Sequence, residues 1–252
     1  MKTITIWNRK GGVGKTTISF NLGSELAKEG YRILFLDLDS QANLTYFFEP
    51  ELRKKKCSYP DISELAEKHA DSIKPGIYVS ERFKNVSYVR GSNQYAVFGF
   101  LDALQKMLLP VDDLYDFCII DCPPDTHSAS QNAIVASDLL LVPILLDGFS
   151  IANLNLVSAT IEHLEDLSGK KLDWSAVINR LSMTKDQMNK LDDLTNHHDY
   201  PVSDIFIRNT AKVNSSLSVF KPLLMHRRTS DVTKDFEELA QDVLSRYAER
   251  EA

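Results

Sequence analysis

The residues from Lys10 to Thr17 read Lys-Gly-Gly-Val-Gly-Lys-Thr-Thr, which places three glycines between two lysines, followed by two hydroxyl groups. Glycines let several backbone N–H groups converge on one point, and a following helix adds free N–H groups and the positive end of its dipole. This combination suits a phosphate group. We expect Lys15 to neutralise the β- and γ-phosphates of a nucleotide and the hydroxyl of Thr16 to bind Mg²⁺.

The elements around this loop are the ones that a phosphate site requires. Residues 3–7 have the β-branched pattern of a strand, and residues 16–29 have apolar positions at helical spacing, with Gly30 as the stop. The alternative is a glycine-rich turn that only caps a helix. All eight residues from 10 to 17 match a phosphate-loop pattern between a strand and a helix, which argues against this alternative. The predicted nucleotide-binding loop is Gly11, Gly12, Val13, Gly14, Lys15, Thr16 and Thr17.

Carboxylates end two further apolar strands. Asp37 ends the strand at 32–37 and Asp39 follows it; Asp121 ends the strand at 117–121, and two prolines follow after Cys122. Ligands bind at the carboxyl ends of parallel strands, where carboxylates hold Mg²⁺ through water or orient an attacking water. The predicted metal-site residues are therefore Thr16, Asp39 and Asp121. A helix cap around Asp39 and a plain proline turn after Asp121 are the alternatives.

Short apolar runs alternate with longer helical patterns along the chain. Further strands are expected at 139–145 and 175–179, with a weaker one at 86–90, and a final amphipathic helix at 231–249. This alternation predicts an α/β fold with a doubly wound, mostly parallel sheet flanked by helices. Residues 49–84 are expected to form helices and loops on the rim. The whole chain, residues 1–252, is predicted to be a single domain.

Composition limits the classes of protein that this chain can represent. Of its 252 residues 43% are apolar, yet no run of about 18 apolar residues suggests a transmembrane helix. No signal peptide precedes the glycine-rich loop, and three cysteines favour reduced thiols and a cytoplasmic location. The net charge is −6, but residues 205–234 carry +5, which leaves −11 on the rest. Such asymmetry indicates an anionic partner.

Lys10 separates this loop from the ordinary phosphate loop, which has glycine where Arg9 stands. The sequence Lys-Gly-Gly-x-Gly-Lys-Thr-Thr resembles the deviant Walker A motif of the ParA and MinD ATPases. The resemblance implies a P-loop NTPase fold and a homodimer that forms on ATP binding. It also implies that Lys10 reaches across an ATP-sandwich dimer to the partner's phosphates, so that Lys10, Lys15 and Asp39 are the catalytic residues.

Three other segments resemble the same group of ATPases. Residues 37–43 resemble switch I, usually Asp-x-Asp-Pro-Gln-x-Asn, with Ser40 in place of the proline; Asp39 matches the aspartate that positions the hydrolytic water. Residues 119–124 resemble Walker B and switch II. The resemblance also places adenine contacts at Asn179, Ile207 and Arg208, although the family usually has proline where Ile207 stands. An ordinary strand end with a surface arginine is the alternative for this last set.

Several features resemble ParA proteins more than MinD proteins. Residues 220–222, Phe-Lys-Pro, resemble the late Gly-Lys-Pro element of ParA proteins, and the last helix is acidic, whereas a membrane-targeting helix has a basic face. The resemblance implies binding of double-stranded DNA without sequence preference, and the candidate contacts are Lys212, Lys221, Arg227, Arg228 and Lys234. A solvated basic face is the alternative.

The complete hypothesis is a partition ATPase that segregates DNA. ATP and Mg²⁺ are its cofactors, a ParB-like protein stimulates its slow hydrolysis, and the protein associates with the nucleoid but not with membranes. No helix-turn-helix domain precedes the phosphate loop, so we expect no operator recognition. The alternatives are a MinD-like ATPase at a membrane surface, an ATPase that positions a protein cargo, and a metabolic enzyme with the same core.

Overall fold

A computed structural model describes residues 1–51 and 59–251, excluding the side chains of 249–251. The described part contains eight strands in one sheet, in the order β3-β4-β2-β5-β1-β6-β7-β8. All neighbours run parallel except β3, which is antiparallel to β4. The strands are β1 Lys2–Ile6, β2 Ile33–Asp37, β3 Ile77–Val79, β4 Val86–Val89, β5 Phe117–Asp121, β6 Leu139–Ile144, β7 Trp174–Leu181 and β8 Ile207–Arg208.

Helices cover both faces of this sheet, so the expected α/β doubly wound architecture is confirmed. Along β5, Ile119 packs with α1 and α10 on one face, whereas Ile120 packs with α5 and α6 on the other. No described helix is long and apolar enough to cross a bilayer. The helices are α1 Lys15–Lys28, α2 Thr45–Phe48, α3 Ile62–Glu67, α4 Ala103–Leu108, α5 Ser128–Ala136, α6 Ser150–Ser168, α7 Lys185–His197, α8 Ala211–Leu217, α9 Leu223–His226 and α10 Asp231–Glu251.

The predicted strands lie within one or two residues of the observed ones. The expectation of only helices and loops over residues 49–84 is wrong, because β3 lies there. This strand has three residues, pairs on one side only and is partly exposed, so it lacks the apolar run that marks a buried strand. Of the three cysteines, Cys118 and Cys122 are buried free thiols, and Cys57 lies outside the described residues.

The central strands bring the candidate site residues to one edge. β1 lies between β5 and β6, and β5 pairs with β2 on its other side. The register places Asp121 beside both Ile6 and Asp37. The carboxyl ends of three adjacent strands therefore meet where α1 begins, the position at which ligands bind in open α/β sheets.

Candidate functional site

The glycine-rich loop connects β1 to α1, and β7 holds it in place. Gly12 and Gly14 have φ angles of 74° and 101°, in the left-handed region. The side-chain amide of Asn179 donates a 2.7 Å hydrogen bond to the carbonyl of Val13. A Cβ on Gly14 would lie 2.1 Å from that amide nitrogen, so glycine is required by both its backbone angle and the close approach of Asn179.

Asn8, which the sequence analysis did not single out, ties the start of the loop to the sheet. Its side chain is fully buried, and its Nδ2 donates to the carbonyl of Pro143 at 2.8 Å. Its Oδ1 accepts a 2.9 Å bond from the N–H of Lys10. A lone asparagine carries no periodic signal, so its burial becomes visible only in the structure.

Lys15 lies at the centre of the loop. It is 7% exposed, and its Nζ donates to the carbonyls of Asn8 and Lys10, both at 3.2 Å. Burial lowers the pKa of Lys15, and the nearby Asp121 carboxylate opposes this effect. The loop thus holds an ammonium group with neutral oxygens only, which leaves its charge available for an anion.

Asp121 is a fully buried carboxyl group at the end of β5. Its Oδ1 accepts a 3.1 Å bond from Ser19 of α1, and its Oδ2 has no hydrogen-bond partner among residues 1–51 and 59–251. Burial raises the pKa of Asp121 to about 8, and the Asp37 carboxylate adds to the rise. A buried oxygen without a partner is rare and calls for a ligand. Together with the hydroxyl of Thr16, which lies close enough to lower this pKa, Asp121 fits a Mg²⁺ ion.

Asp37 and Asp39 differ in what they do. Asp37 is buried, and one of its oxygens accepts bonds from both the N–H and the hydroxyl of Thr45, each at 2.7 Å. Burial raises the pKa of Asp37 to about 7. Asp39 is half-buried, and its Oδ1 accepts from the N–H of Gln41 at 3.0 Å. Asp37 therefore anchors α2, whereas Asp39 keeps one oxygen without a hydrogen bond among the described residues.

Lys10 forms an ion pair with Asp147, in the loop between β6 and α6. Both side chains are about one-third exposed, at 35% and 38%. The lysine expected to act across a dimer is therefore held within its own subunit in this structure. Its role in trans stays a prediction.

The three residues expected to contact adenine line one cavity of about 150 Å³ with Thr17. Both ends of the Asn179 amide are engaged, since its Oδ1 accepts from the N–H of Arg180 at 2.9 Å. Ile207 is buried, and Arg208 forms a bidentate pair with Asp235, with bonds of 2.8 and 2.6 Å. The structure brings these residues together, but their roles as base contacts stay a prediction.

The basic residues of the 212–234 segment share one property. All of them are exposed, and none forms an ion pair within the described part of the chain, in contrast to Arg208. They lie on α8, on both sides of α9 and on the first turns of α10. The set is Lys212, Lys221, Arg227, Arg228 and Lys234.

Comparison with known proteins decides the family. Residues 1–174 match a family model described as an AAA domain. Over its whole length the chain is 27% identical to the chromosome partitioning protein ParA of Caulobacter vibrioides, 97% of which is covered. It is 34% identical to the virulence plasmid ParA family protein pGP5-D of Chlamydia psittaci, over 67% of this chain and 68% of that protein. The chain belongs to the ParA family of ATPases.

The fold of this ParA-family chain matches a solved structure over almost its full length. The structure of apo McdA from Cyanothece superposes with a TM-score of 0.81 at 24% identity and covers 97% of this chain and 99% of that one. The comparisons confirm the recognition made from the loop at 10–17, the P-loop fold and the ATP hydrolase class. The roles of the individual ParA-type residues stay predictions.

Proposed function

We propose that this chain is an ATP-dependent DNA segregation ATPase. In this proposal the ATP-bound sandwich dimer binds double-stranded DNA without sequence preference, and hydrolysis stimulated by a ParB-like partner releases it. Two relatives support the partition role by their names, the chromosome partitioning protein ParA of Caulobacter vibrioides and the chromosome-partitioning ATPase Soj of Treponema pallidum. The family supplies the ATPase class, and the DNA and the dimer are the parts that need a test.

The residues at the sheet edge have separable tasks in this proposal. Lys15 and the loop N–H groups bind the phosphates of ATP, and Lys10 adds a second cation from the partner subunit. Thr16 and Asp121 would hold Mg²⁺, which neutralises phosphate charge when bound. Asp39 uses its free carboxylate oxygen to orient the attacking water. Asp37 keeps α2 in position beside this group.

The observation that carries the DNA proposal is the set of five exposed cations, which have no ion-pair partner in the part of the chain that the structure describes. Elsewhere in the chain many lysines and arginines bind carboxylates, as Lys106 does with Asp102 and Lys171 with Glu165. An unpaired cation in an acidic chain gives up no protein contact when it meets a phosphate, and it releases a counterion from the DNA. This segment is therefore ready to bind a polyanion.

The last helix disfavours the membrane alternative. The apolar face of α10 is already buried against the protein, and Phe236, Leu239 and Val243 have no exposed surface. Its outer face carries Glu237 and Glu238. A helix that binds a membrane surface needs a free apolar face and a basic polar face, and α10 has neither.

Binding of a labelled duplex of arbitrary sequence, measured by fluorescence anisotropy with and without ATP, tests the proposal. We expect ATP to strengthen the binding, and we expect the Arg227→Glu, Arg228→Glu double variant to lose this gain, with dimerisation by light scattering unchanged. The control is the Lys68→Glu, Lys106→Glu double variant, which makes the same change of charge outside the basic segment, directly after α3 and in α4. This variant should retain DNA binding. Equal binding with and without ATP, or full binding by the Arg227, Arg228 variant, would contradict the proposal and favour a protein cargo.

A further inference from the structure

Arg82, in the turn between β3 and β4, connects two segments that are far apart in the chain. Its Nη1 donates to the carbonyl of Phe47 in α2, and its Nη2 donates to the carbonyl of Phe220 at 3.0 Å. Phe47 follows switch I by four residues, and Phe220 directly precedes Lys221. One guanidinium group therefore bridges the nucleotide side of the molecule and the basic segment.

Aromatic contacts reinforce this bridge. The rings of Phe47 and Phe220 meet edge-on with centroids 6.0 Å apart, and Phe47 stacks on Phe20 of α1 at 4.0 Å. Phe220 has a φ of 50°, in the left-handed region, at the position where the ParA element has glycine. A bulky residue keeps such an angle only when its surroundings fix it. The contacts with Arg82 and Phe47 supply that constraint just before Lys221.

The other end of the bridge reaches the carboxyl edge of the sheet. Phe47 belongs to α2, whose first residue, Thr45, is bound through both its N–H and its hydroxyl by Asp37. Asp37 pairs in register with Asp121 on the neighbouring strand. The pairing of β2 with β5, the hydrogen bonds of Asp37 to Thr45 and the short helix α2 thus join the candidate Mg²⁺ residue Asp121 to Phe47, from which Arg82 reaches the turn that carries Lys221.

We propose that Arg82 is a positioning residue that couples the nucleotide state of switch I to the basic segment. This inference rests on the proposed function, because it presumes that ATP and DNA binding are linked. A shift of α2 with the nucleotide moves the carbonyl of Phe47, and Arg82 passes the shift to the carbonyl of Phe220. The orientation of Lys221 then depends on whether ATP is bound. The two hydrogen bonds of Arg82 are made to neutral carbonyl oxygens. Because no buried carboxylate is part of this link, the link can rearrange without leaving a negative charge unpaired.

The test measures the ratio of DNA affinity with ATP to DNA affinity without it. Arg82→Lys keeps the positive charge but loses the planar fork that reaches two carbonyls. We expect the ratio to fall at least about tenfold, within the usual range of coupling between sites, while ATP affinity stays unchanged. Lys84→Gln, in the same turn, removes a charge without touching the bridge; because Lys84 lies outside the proposed DNA contacts, it should leave both affinities and their ratio as they were.

A second variant guards against a general loss of structure. Phe220→Gly keeps the carbonyl and relieves the left-handed angle, but it removes the ring contact with Phe47. We expect an unchanged melting temperature and a reduced ratio. A wild-type ratio in both Arg82→Lys and Phe220→Gly would overturn the coupling role alone. Absence of ATP-dependent DNA binding in the unmodified chain would overturn the proposed function and this inference with it.

Discussion

The nucleotide edge and the basic segment are built in opposite ways. At the edge, four side chains are at most 7% exposed and are held by hydrogen bonds to β6, the loop, α2 and α1: Asn8, Lys15, Asp37 and Asp121. In the basic segment the cations are exposed on the seven-residue helix α8, on both sides of the four-residue helix α9 and on the start of α10. A phosphate chain of defined length needs fixed geometry, whereas a polyanion of any sequence needs only charge density.

This difference predicts how each region responds to substitution. Changes at the nucleotide edge should alter geometry, ATP binding and stability together, because the residues there share buried contacts. Changes to the exposed cations should alter DNA affinity and leave stability within about 0.5 kcal/mol, as is usual for surface positions.

Removal of the Lys15 ammonium should have the largest effect. Lys15→Ala removes the main side-chain cation for the β- and γ-phosphates, and two lost charge-assisted bonds of roughly 2 kcal/mol each correspond to about a 1000-fold loss of ATP affinity. Isothermal titration with ATP and Mg²⁺ measures it, and the melting temperature serves as the folding control. Unchanged affinity would mean that the loop at 10–17 does not bind the nucleotide.

Single variants of Lys10 and Asp39 should have different effects, the first on dimerisation and the second on ATP hydrolysis. Asp39→Ala should retain ATP-dependent dimers and slow phosphate release by about 100-fold, since Asp39 is proposed to orient water and not to bind nucleotide. Lys10→Ala should weaken the dimers, because its proposed contact is in trans. Light scattering beside phosphate release distinguishes them. Normal hydrolysis by Asp39→Ala would mean that switch I is misassigned.

A matched pair of glycine substitutions tests the fixed geometry of the loop. Gly14→Ala places a Cβ against the amide of Asn179 at a φ of 101°, which should lower the free energy of unfolding by roughly 2–3 kcal/mol through strain and a lost hydrogen bond. Gly11→Ala meets no atom within 4 Å and should change stability by less than about 0.5 kcal/mol. Urea denaturation of both variants measures the difference, and equal effects would show that Asn179 does not constrain the loop.

Glu25 is predicted to affect stability alone, with a defined pH dependence. It is buried in α1, and burial raises its pKa despite a 3.1 Å bond from Lys28. A raised pKa means that the folded state disfavours the charged form, so stability falls as the pH rises through the folded pKa. Glu25→Gln should therefore be more stable than the wild type at pH 7 and equally stable near pH 4, where the carboxyl group is mostly protonated in both states. Urea denaturation of both proteins at the two pH values measures the difference in stability. A variant less stable than the wild type at pH 7 would show that the folded state favours the charged form of Glu25.

The sequence predicted the parts of the fold that depend on local patterns. Strands β2 and β5 are continuous apolar runs that end in an aspartate. The motif at 10–17 predicts a strand before it and a helix after it. Contacts between distant segments were not predictable. Asn8 bonds Pro143, Lys10 pairs with Asp147, and Arg82 bonds Phe220, so each pair is separated by more than 130 residues. Such contacts depend on which strands become neighbours, and no periodicity along the chain encodes that.

The salt dependence of DNA binding tests the central claim most directly. Each neutralised phosphate adds about 0.9 to the slope of log affinity against log salt concentration, so a dimer that joins two basic segments should show nearly twice the slope of a monomer. We therefore expect the slope for an arbitrary duplex to become about twofold steeper when ATP is added, and the Arg227→Glu, Arg228→Glu variant to lose this change. An identical slope with and without ATP, or an unchanged slope in that variant, would contradict DNA binding by an ATP-driven dimer through the basic segment.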